Sequence, residues 1–286
     1  MPRTDQQNKS YFLKQATWPA LNHLPMRPVY LLPFTGLLFF LVTSCDKSSP
    51  SMDGTVLSKS IFSDSDGVLT THFLYNQDGR LVRIQYINAP YTGNESNEAL
   101  MLEYNSSGKL IASYYTTSGA DYYDRQQYTY NQQGDTIKAL LIPSRGSVNY
   151  SNRLVILDNN GKVITDSLRS TAKDFVTFSA FTYDGIGNVA TEQYGSKENG
   201  IPGTTTTRSN HYDAHLNPFR PLGLPYYLAS GDPRAFNIRN IQSYTEGGTL
   251  YTWYRTYNGN SMPLESILPI NTPVAGEIKQ QLYYWR

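Results

Sequence analysis

From Val56 onward, apolar and polar residues alternate over short stretches, the period-2 pattern of strands with one buried face. Arg80–Asn88 places Val82, Ile84 and Tyr86 on one face. Asp174–Tyr183 sets Phe175, Thr177, Ser179 and Phe181 opposite Val176, Phe178, Ala180 and Thr182. One phrase returns between such stretches: Tyr75-Asn-Gln-Asp-Gly79-Arg-Leu, Tyr104-Asn-Ser-Ser-Gly108-Lys-Leu, Tyr130-Asn-Gln-Gln-Gly134-Asp-Thr, Leu157-Asp-Asn-Asn-Gly161-Lys-Val and Tyr183-Asp-Gly-Ile-Gly187-Asn-Val. A copy from Tyr212 to Pro218 lacks the glycine, and a last one starts at Tyr257-Asn-Gly-Asn. The first six anchors are 29, 26, 27, 26 and 29 residues apart, so the phrase is a true repeat.

Each residue of the phrase has a physical task. The aromatic ends a strand, and Asn or Asp opens the turn because its side chain can bond the backbone two residues on. The glycine four residues after the aromatic supplies a positive φ, and an aliphatic residue starts the return strand. Each unit is therefore a β-hairpin. A period near 27 residues leaves room for two strands and a second connection. The expected fold is all-β: a single domain over residues 56–286, an antiparallel up-and-down meander of a dozen or more strands, curled or barrel-like. The period breaks between Leu216 and Arg239, where Pro225 and Gly231 bracket one short helix at 225–231. Strands resume at Asn240–Tyr244 and Thr249–Tyr257, and Gly276–Tyr284 is expected to close the sheet. A membrane-embedded barrel needs an apolar outward face about ten residues long. Asp121–Tyr130 and Gly203–Tyr212 carry polar side chains on both faces, so a water-soluble sheet or barrel is expected.

The N-terminus reads as an address. Val29–Val42 is apolar for 14 positions, a signal-peptide core rather than a span, which takes about 18 or more. Val42-Thr43-Ser44-Cys45 follows at once and resembles the lipobox of bacterial lipoproteins, in which the cysteine sulfur is acylated. Residues 46–55 then form a polar tether. The resemblance implies a signal peptide over 1–45 and a membrane partner reached through lipid on Cys45. Met26-Arg27-Pro28 supplies an ordinary basic start, so residues 1–25 are expected to precede the true start codon.

Composition narrows function mostly by exclusion. The single cysteine leaves no internal disulfide and no multi-cysteine metal site. Residues 1–45 hold four Lys or Arg and one Asp, leaving 20 basic against 22 acidic side chains, a balance that attracts no nucleic acid. No nucleophile elbow, phosphate loop or zinc signature occurs, so no catalytic residue, cofactor or metal is expected. His211, Asp213 and His215 lie close together but are read as solvated turn residues pointing apart. Asp64-Ser-Asp66-Gly67 and Asp158-Asn-Asn-Gly161 lack the downstream acidic ligand of a calcium loop and are read as hairpin turns. The pairs Tyr114-Tyr115, Tyr122-Tyr123, Tyr226-Tyr227 and Tyr283-Tyr284 are expected to set one ring inside and one outside a strand. The alternative is that exposed aromatics beside Asn, Gln and Thr stack on sugar rings.

The Tyr-Asn/Asp-x-x-Gly unit resembles the tyrosine–aspartate repeat of the Rhs family, although six or seven copies without a toxin module do not make a toxin shell. The order of lipobox, degenerate hairpins, Asn217-Pro-Phe219 and Gly223-Leu-Pro is similar to a family of Bacteroidota lipoproteins of unknown function with a porin-like β fold. That likeness covers most of residues 60–270 and implies a fold and an outer-membrane address, but no catalytic residues. The first expectation is a non-enzymatic, lipid-anchored envelope protein, structural or binding. The second is a glycan- or peptide-binding lipoprotein of a nutrient-uptake system, and an enzyme is disfavoured. Cys45→Ala should leave the protein unanchored or unprocessed; normal processing and detergent-phase partitioning of that variant would refute the lipobox.

Overall fold

The computed structural model describes residues 55–117, 122–142, 151–170, 174–270 and 276–285. The expected signal segment, Cys45 and tether residues 46–54 lie outside them. Seventeen strands follow in chain order: β1 Val56–Ser63, β2 Gly67–Tyr75, β3 Leu81–Pro90, β4 Ser96–Tyr104, β5 Leu110–Thr117 and β6 Tyr122–Tyr130. Next come β7 Thr136–Ile142, β8 Ser151–Leu157, β9 Val163–Ser170, β10 Phe175–Tyr183, β11 Val189–Glu198 and β12 Ile201–Leu216. The last five are β13 Arg239–Glu246, β14 Thr249–Thr252, β15 Tyr254–Tyr257, β16 Pro263–Ile270 and β17 Gly276–Trp285. Consecutive strands pair antiparallel, and β17 pairs back onto β1, so the expected meander closes into a nearly complete barrel. Among the described residues the ladder breaks between β14 and β15, on either side of Trp253.

Alternating hairpins put the repeat turns all at one end of the barrel. There Asn76 accepts the N–H groups of Asp78 and Arg80 at 3.0 and 2.9 Å, and Gly79 takes φ +74°. In the copy at Tyr257, the positive φ of +60° falls on Ser261 and not on Gly259. A bulge follows the turn: Tyr75 pairs with Leu81 while Leu74 pairs with Arg83. Leu81 is buried and Val82 is not, so Val82 leaves the expected Val82/Ile84/Tyr86 face.

Five repeat tyrosines, joined by Tyr284 of the closing strand, bind successive hairpins to one another. Tyr75 donates its hydroxyl to the Leu57 carbonyl at 2.8 Å, Tyr104 to Leu81 at 2.7 Å and Tyr130 to Leu110 at 2.9 Å. Tyr183 reaches Val163 at 2.7 Å, Tyr212 reaches Val189 at 2.6 Å and Tyr284 reaches Pro263 at 2.6 Å. Five of the acceptors are the first residues of their strands and Leu57 is the second of β1; each lies where a bulge or turn leaves a carbonyl in need of a donor. Leu157, the copy without a hydroxyl, fills its place with apolar surface and uses its own N–H, 2.7 Å from the Asp135 carbonyl.

The break in the period folds into the barrel. Helix α1 spans Gly223–Ser230, two residues earlier at its start than Pro225 suggested. Pro225 is tolerated there because the first turn needs no N–H donors. Gly231 ends the helix in the left-handed conformation, φ +75°. Tyr226, Tyr227, Leu228 and Ala229 are all buried, in one cluster with Phe73, Ile84, Leu100, Ile137, Val155 and Phe181 from the strands. The wall alternates as expected. On β7, Ile137 and Ala139 face this core while Lys138 and Leu140 are exposed.

Burial raises the pKa of all six of these tyrosine hydroxyls, pushing Tyr104 and Tyr130 up to about 12 from 10.0. Tyr75, Tyr183, Tyr212 and Tyr284 shift the same way for the same reason. The unfolded chain therefore loses tyrosine protons first. Stability should hold below about pH 10 and fall as pH rises toward the folded-state values. Tyrosinate absorbance and loss of β circular dichroism should appear together on alkaline titration. Ring tyrosines ionising near pH 10 with the barrel intact would contradict this.

Candidate functional site

Two polar groups interrupt the apolar interior. Register sets Arg153 opposite Ala139 and Asp166 opposite Val155, both core positions. Arg153 clasps Asp166 with contacts of 2.6 to 3.1 Å, and the two side chains are only 10% and 13% exposed. Arg153 also donates to the Leu228 carbonyl at 2.6 Å, joined there by the Tyr128 hydroxyl at 2.9 Å. These donors satisfy the end of α1 and place a cation at its negative pole. Tyr227 donates to Asp166 at 2.5 Å. Although burial opposes the guanidinium charge, the field of Asp166 outweighs it and holds Arg153 protonated. This group docks the helix and leaves no free acid or base.

The second group lies where the ladder changes partner. The stretch Thr249–Tyr257 reads as one strand, but its first half pairs with β13 and its second with β16. At the hand-over, Trp253 donates its N–H to the Gln242 carbonyl at 2.8 Å. Beside it β12 bulges: Tyr212 pairs with Ile241 and Leu216 with Arg239, leaving residues 213–215 against Asn240 alone. The Arg239 guanidinium donates to the Ala214 carbonyl, and Asn240 donates to the Leu216 carbonyl at 3.1 Å. Asp213 accepts the Tyr257 hydroxyl and the His215 N–H, the latter at 2.8 Å. The His215 ring stacks on Tyr257 with centroids 3.9 Å apart.

Two chambers meet here. The outer, about 480 Å³, is lined by Tyr212, His215, Gln242, Trp253, Tyr254 and Tyr257 among others. The inner, about 70 Å³, is bounded by Arg234, Arg239, Asn217, Asn237, Ser266 and Gln280 among others. Trp253 and Arg255 line both. Burial pulls the Arg255 guanidinium below its usual value, against the opposing influence of Tyr257 and Asp213. Its ion pair with Asp213 is long, 4.0 Å, with both side chains 11% exposed. Arg234 is satisfied separately by Asp232, at 2.6 to 3.0 Å.

The residues singled out in the sequence fare differently. Asp213 and His215 are not turn residues, because β12 runs through to Leu216; they belong to this site, whereas His211 is exposed. Among the described residues no three His, Cys, Asp or Glu gather as metal ligands. Asp64 and Asp158 sit in hairpin turns, accepting backbone N–H groups at 2.8 to 3.3 Å. Tyr115 and Tyr284 pack on the core, and Tyr283 is exposed, as a strand pair requires. Tyr226 and Tyr227 depart from that expectation, since both are helical and buried. The side chains of Tyr122 and Tyr123 lie outside the described residues. Trp253, Arg255, Arg153 and Asp166 carried no signal as a site, because each reads as an ordinary strand residue.

No protein-family model and no curated protein matches the chain. Among solved structures it is similar to a porin-like protein from Bacteroides uniformis ATCC 8492, with TM-score 0.53 and 10% identity over 80% of this chain and 98% of that one. A porin-like protein from Bacteroides vulgatus ATCC 8482 aligns at TM-score 0.38 and 14% identity, over 81% and 99% of the two chains. A chain of a TcdB2–TccC3–Cdc42 complex aligns at 0.21 and 12% identity, over 77% of this chain and 16% of that one. The first likeness shows a shared fold, and the other two superpose too loosely to add to it.

Asp166→Asn removes the charge opposite Arg153 and leaves a buried cation unpaired. It should cost about 3–5 kcal/mol in denaturant unfolding. A loss under about 1 kcal/mol, the range of exposed pairs, would show the clasp to be superficial.

Proposed function

We propose that this protein is a lipid-anchored component of the cell envelope without enzymatic activity, held in the outer membrane by acyl chains on Cys45. Its barrel serves as a rigid structural or binding body and not as a conduit. The observation that carries this reading is the filled interior. Porins of similar strand number leave an aqueous channel, whereas here α1 packs Tyr226, Tyr227 and Leu228 into the core. The outward faces support it, because they present Lys138, Arg169, Lys279 and the Arg125–Glu103 pair. Each cation near a bilayer midplane would cost about 2–4 kcal/mol, so a water-soluble barrel on a tether fits better than an embedded one. The lipobox supplies the attachment this requires, since two or more acyl chains anchor stably where one does not.

The aromatic outer chamber favours a second reading, a glycan- or peptide-binding lipoprotein of a nutrient-uptake system. Trp253 and Tyr254 offer faces for stacking, with Gln242 beside them as a polar partner and the stacked Tyr257 and His215 rings completing the wall.

Full-length protein reconstituted into lipid vesicles should associate with them and leave entrapped small solutes inside. Solute release matching that of an open porin would overturn the reading, as would a Cys45→Ala variant that is processed normally and still stays in the membrane fraction.

A further inference from the structure

The two chambers at Trp253 differ in chemistry, and the difference selects a ligand. The outer one is lined by Tyr212, His215, Trp253, Tyr254 and Tyr257, and Ala214 is the one aliphatic residue in its lining. Its volume, about 480 Å³, lies within the range of small-molecule sites, roughly 300–1,000 Å³. Tyr254 is 62% exposed, so the chamber opens to solvent. Such a lining suits a ring with one apolar face and a hydroxylated edge better than an aliphatic peptide side chain.

The inner chamber is cationic. Three guanidinium groups line it: Arg234, Arg239 and Arg255. Asp232 neutralises Arg234, and among the described residues the Arg239 guanidinium has a hydrogen bond to the Ala214 carbonyl and no ion pair. Arg255 has Asp213 at 4.0 Å, but that carboxylate already accepts from Tyr257 and His215. A guanidinium offers several N–H donors in a planar fork that matches a carboxylate; Tyr257 bonds the Arg255 fork, but Asp213, at 4.0 Å, is too far to close it as a paired carboxylate would. Trp253, whose ring lies 5.6 Å from the Arg255 guanidinium, stands between the aromatic and the cationic chamber.

We propose that this paired pocket binds the hexuronate unit of an acidic glycan, the sugar ring against Trp253 and its carboxylate on the Arg255 fork. The proposal rests on the glycan-binding reading above and adds the ligand's charge to it. The ring and carboxylate of a hexuronate are joined by one bond, which suits two chambers that share two side chains.

The test is titration of the full-length protein in detergent with tri-galacturonate, and with its fully methyl-esterified form, which keeps the rings and removes the charge. Calorimetry and tryptophan fluorescence read the binding. The acid should bind and the ester should bind at least about tenfold more weakly, the loss expected when a charge-assisted contact is reduced to a neutral one. Arg255→Gln should weaken the acid about thirtyfold or more, the lower end for truncating one side of a buried charged pair. Arg239→Gln gives a second reading should Arg255→Gln fail to fold, and Arg169→Gln on the outer wall should leave binding unchanged. Equal binding of acid and ester would overturn the charge assignment and leave the glycan reading standing. Undiminished binding by a folded Arg255→Gln variant would place the ligand elsewhere and overturn the site. No binding of either sugar at about 10 mM, beyond even weak millimolar affinity, would overturn the proposal and take its pocket from the glycan reading. The lipid anchor is unaffected by any of these outcomes.

Discussion

The bond from a tyrosine hydroxyl to a carbonyl at the start of the neighbouring strand is the contact on which the rest of the barrel depends. It occurs at Tyr75, Tyr104, Tyr130, Tyr183, Tyr212 and Tyr284. A ladder alone fixes neighbouring strands along their length, but a one-residue slip would exchange inner and outer faces. The hydroxyl adds a pin at the rim that fits only one register. It also uses a carbonyl that the bulge has turned away from its strand partner. Each such bond is worth only about 0.5–1.5 kcal/mol net, so its importance lies in specifying register around the circle more than in total energy.

The pins act at the same end as the inserted helix, and the two features need each other. A wide antiparallel barrel leaves space that strand side chains alone do not fill. Tyr226, Tyr227 and Leu228 supply the missing apolar volume. Burying a helix end strands carbonyls, and Arg153 and Tyr128 answer that need at Leu228. Arg153 in turn requires Asp166, so a chain of obligations runs from the period break at 216–239 into β8 and β9.

Much of this was legible in the residues. The Tyr-Asn-x-x-Gly phrase predicts the hairpins, because turn chemistry is local, and Gly276–Tyr284 was expected as the closing strand that β17 proves to be. The bulge was not legible: Leu81 and Val82 are both aliphatic, and only pairing with Tyr75 decides which one faces the core. The helix could be read from Pro225 and Gly231, but its place inside could not. The one hint was Leu224 to Ala229, apolar or aromatic apart from Pro225 and without a polar face, which a surface helix would need. The site at Trp253 was hidden for a further reason. Thr249–Tyr257 alternates like any strand, and its change of partner is imposed by the bulge at 213–215, far away in sequence.

The join between β1 and β17 has a temporal meaning. Leu57 pairs with Tyr284 and Ser63 with Lys279, across more than 200 positions of chain. Every other ladder joins segments that are near each other in sequence or are bridged by the inserted helix. During synthesis the first strand therefore waits with one edge bare until the last one emerges. Until then it is a row of unsatisfied donors and acceptors open to any passing strand. The barrel is therefore complete only once β17 has covered that edge.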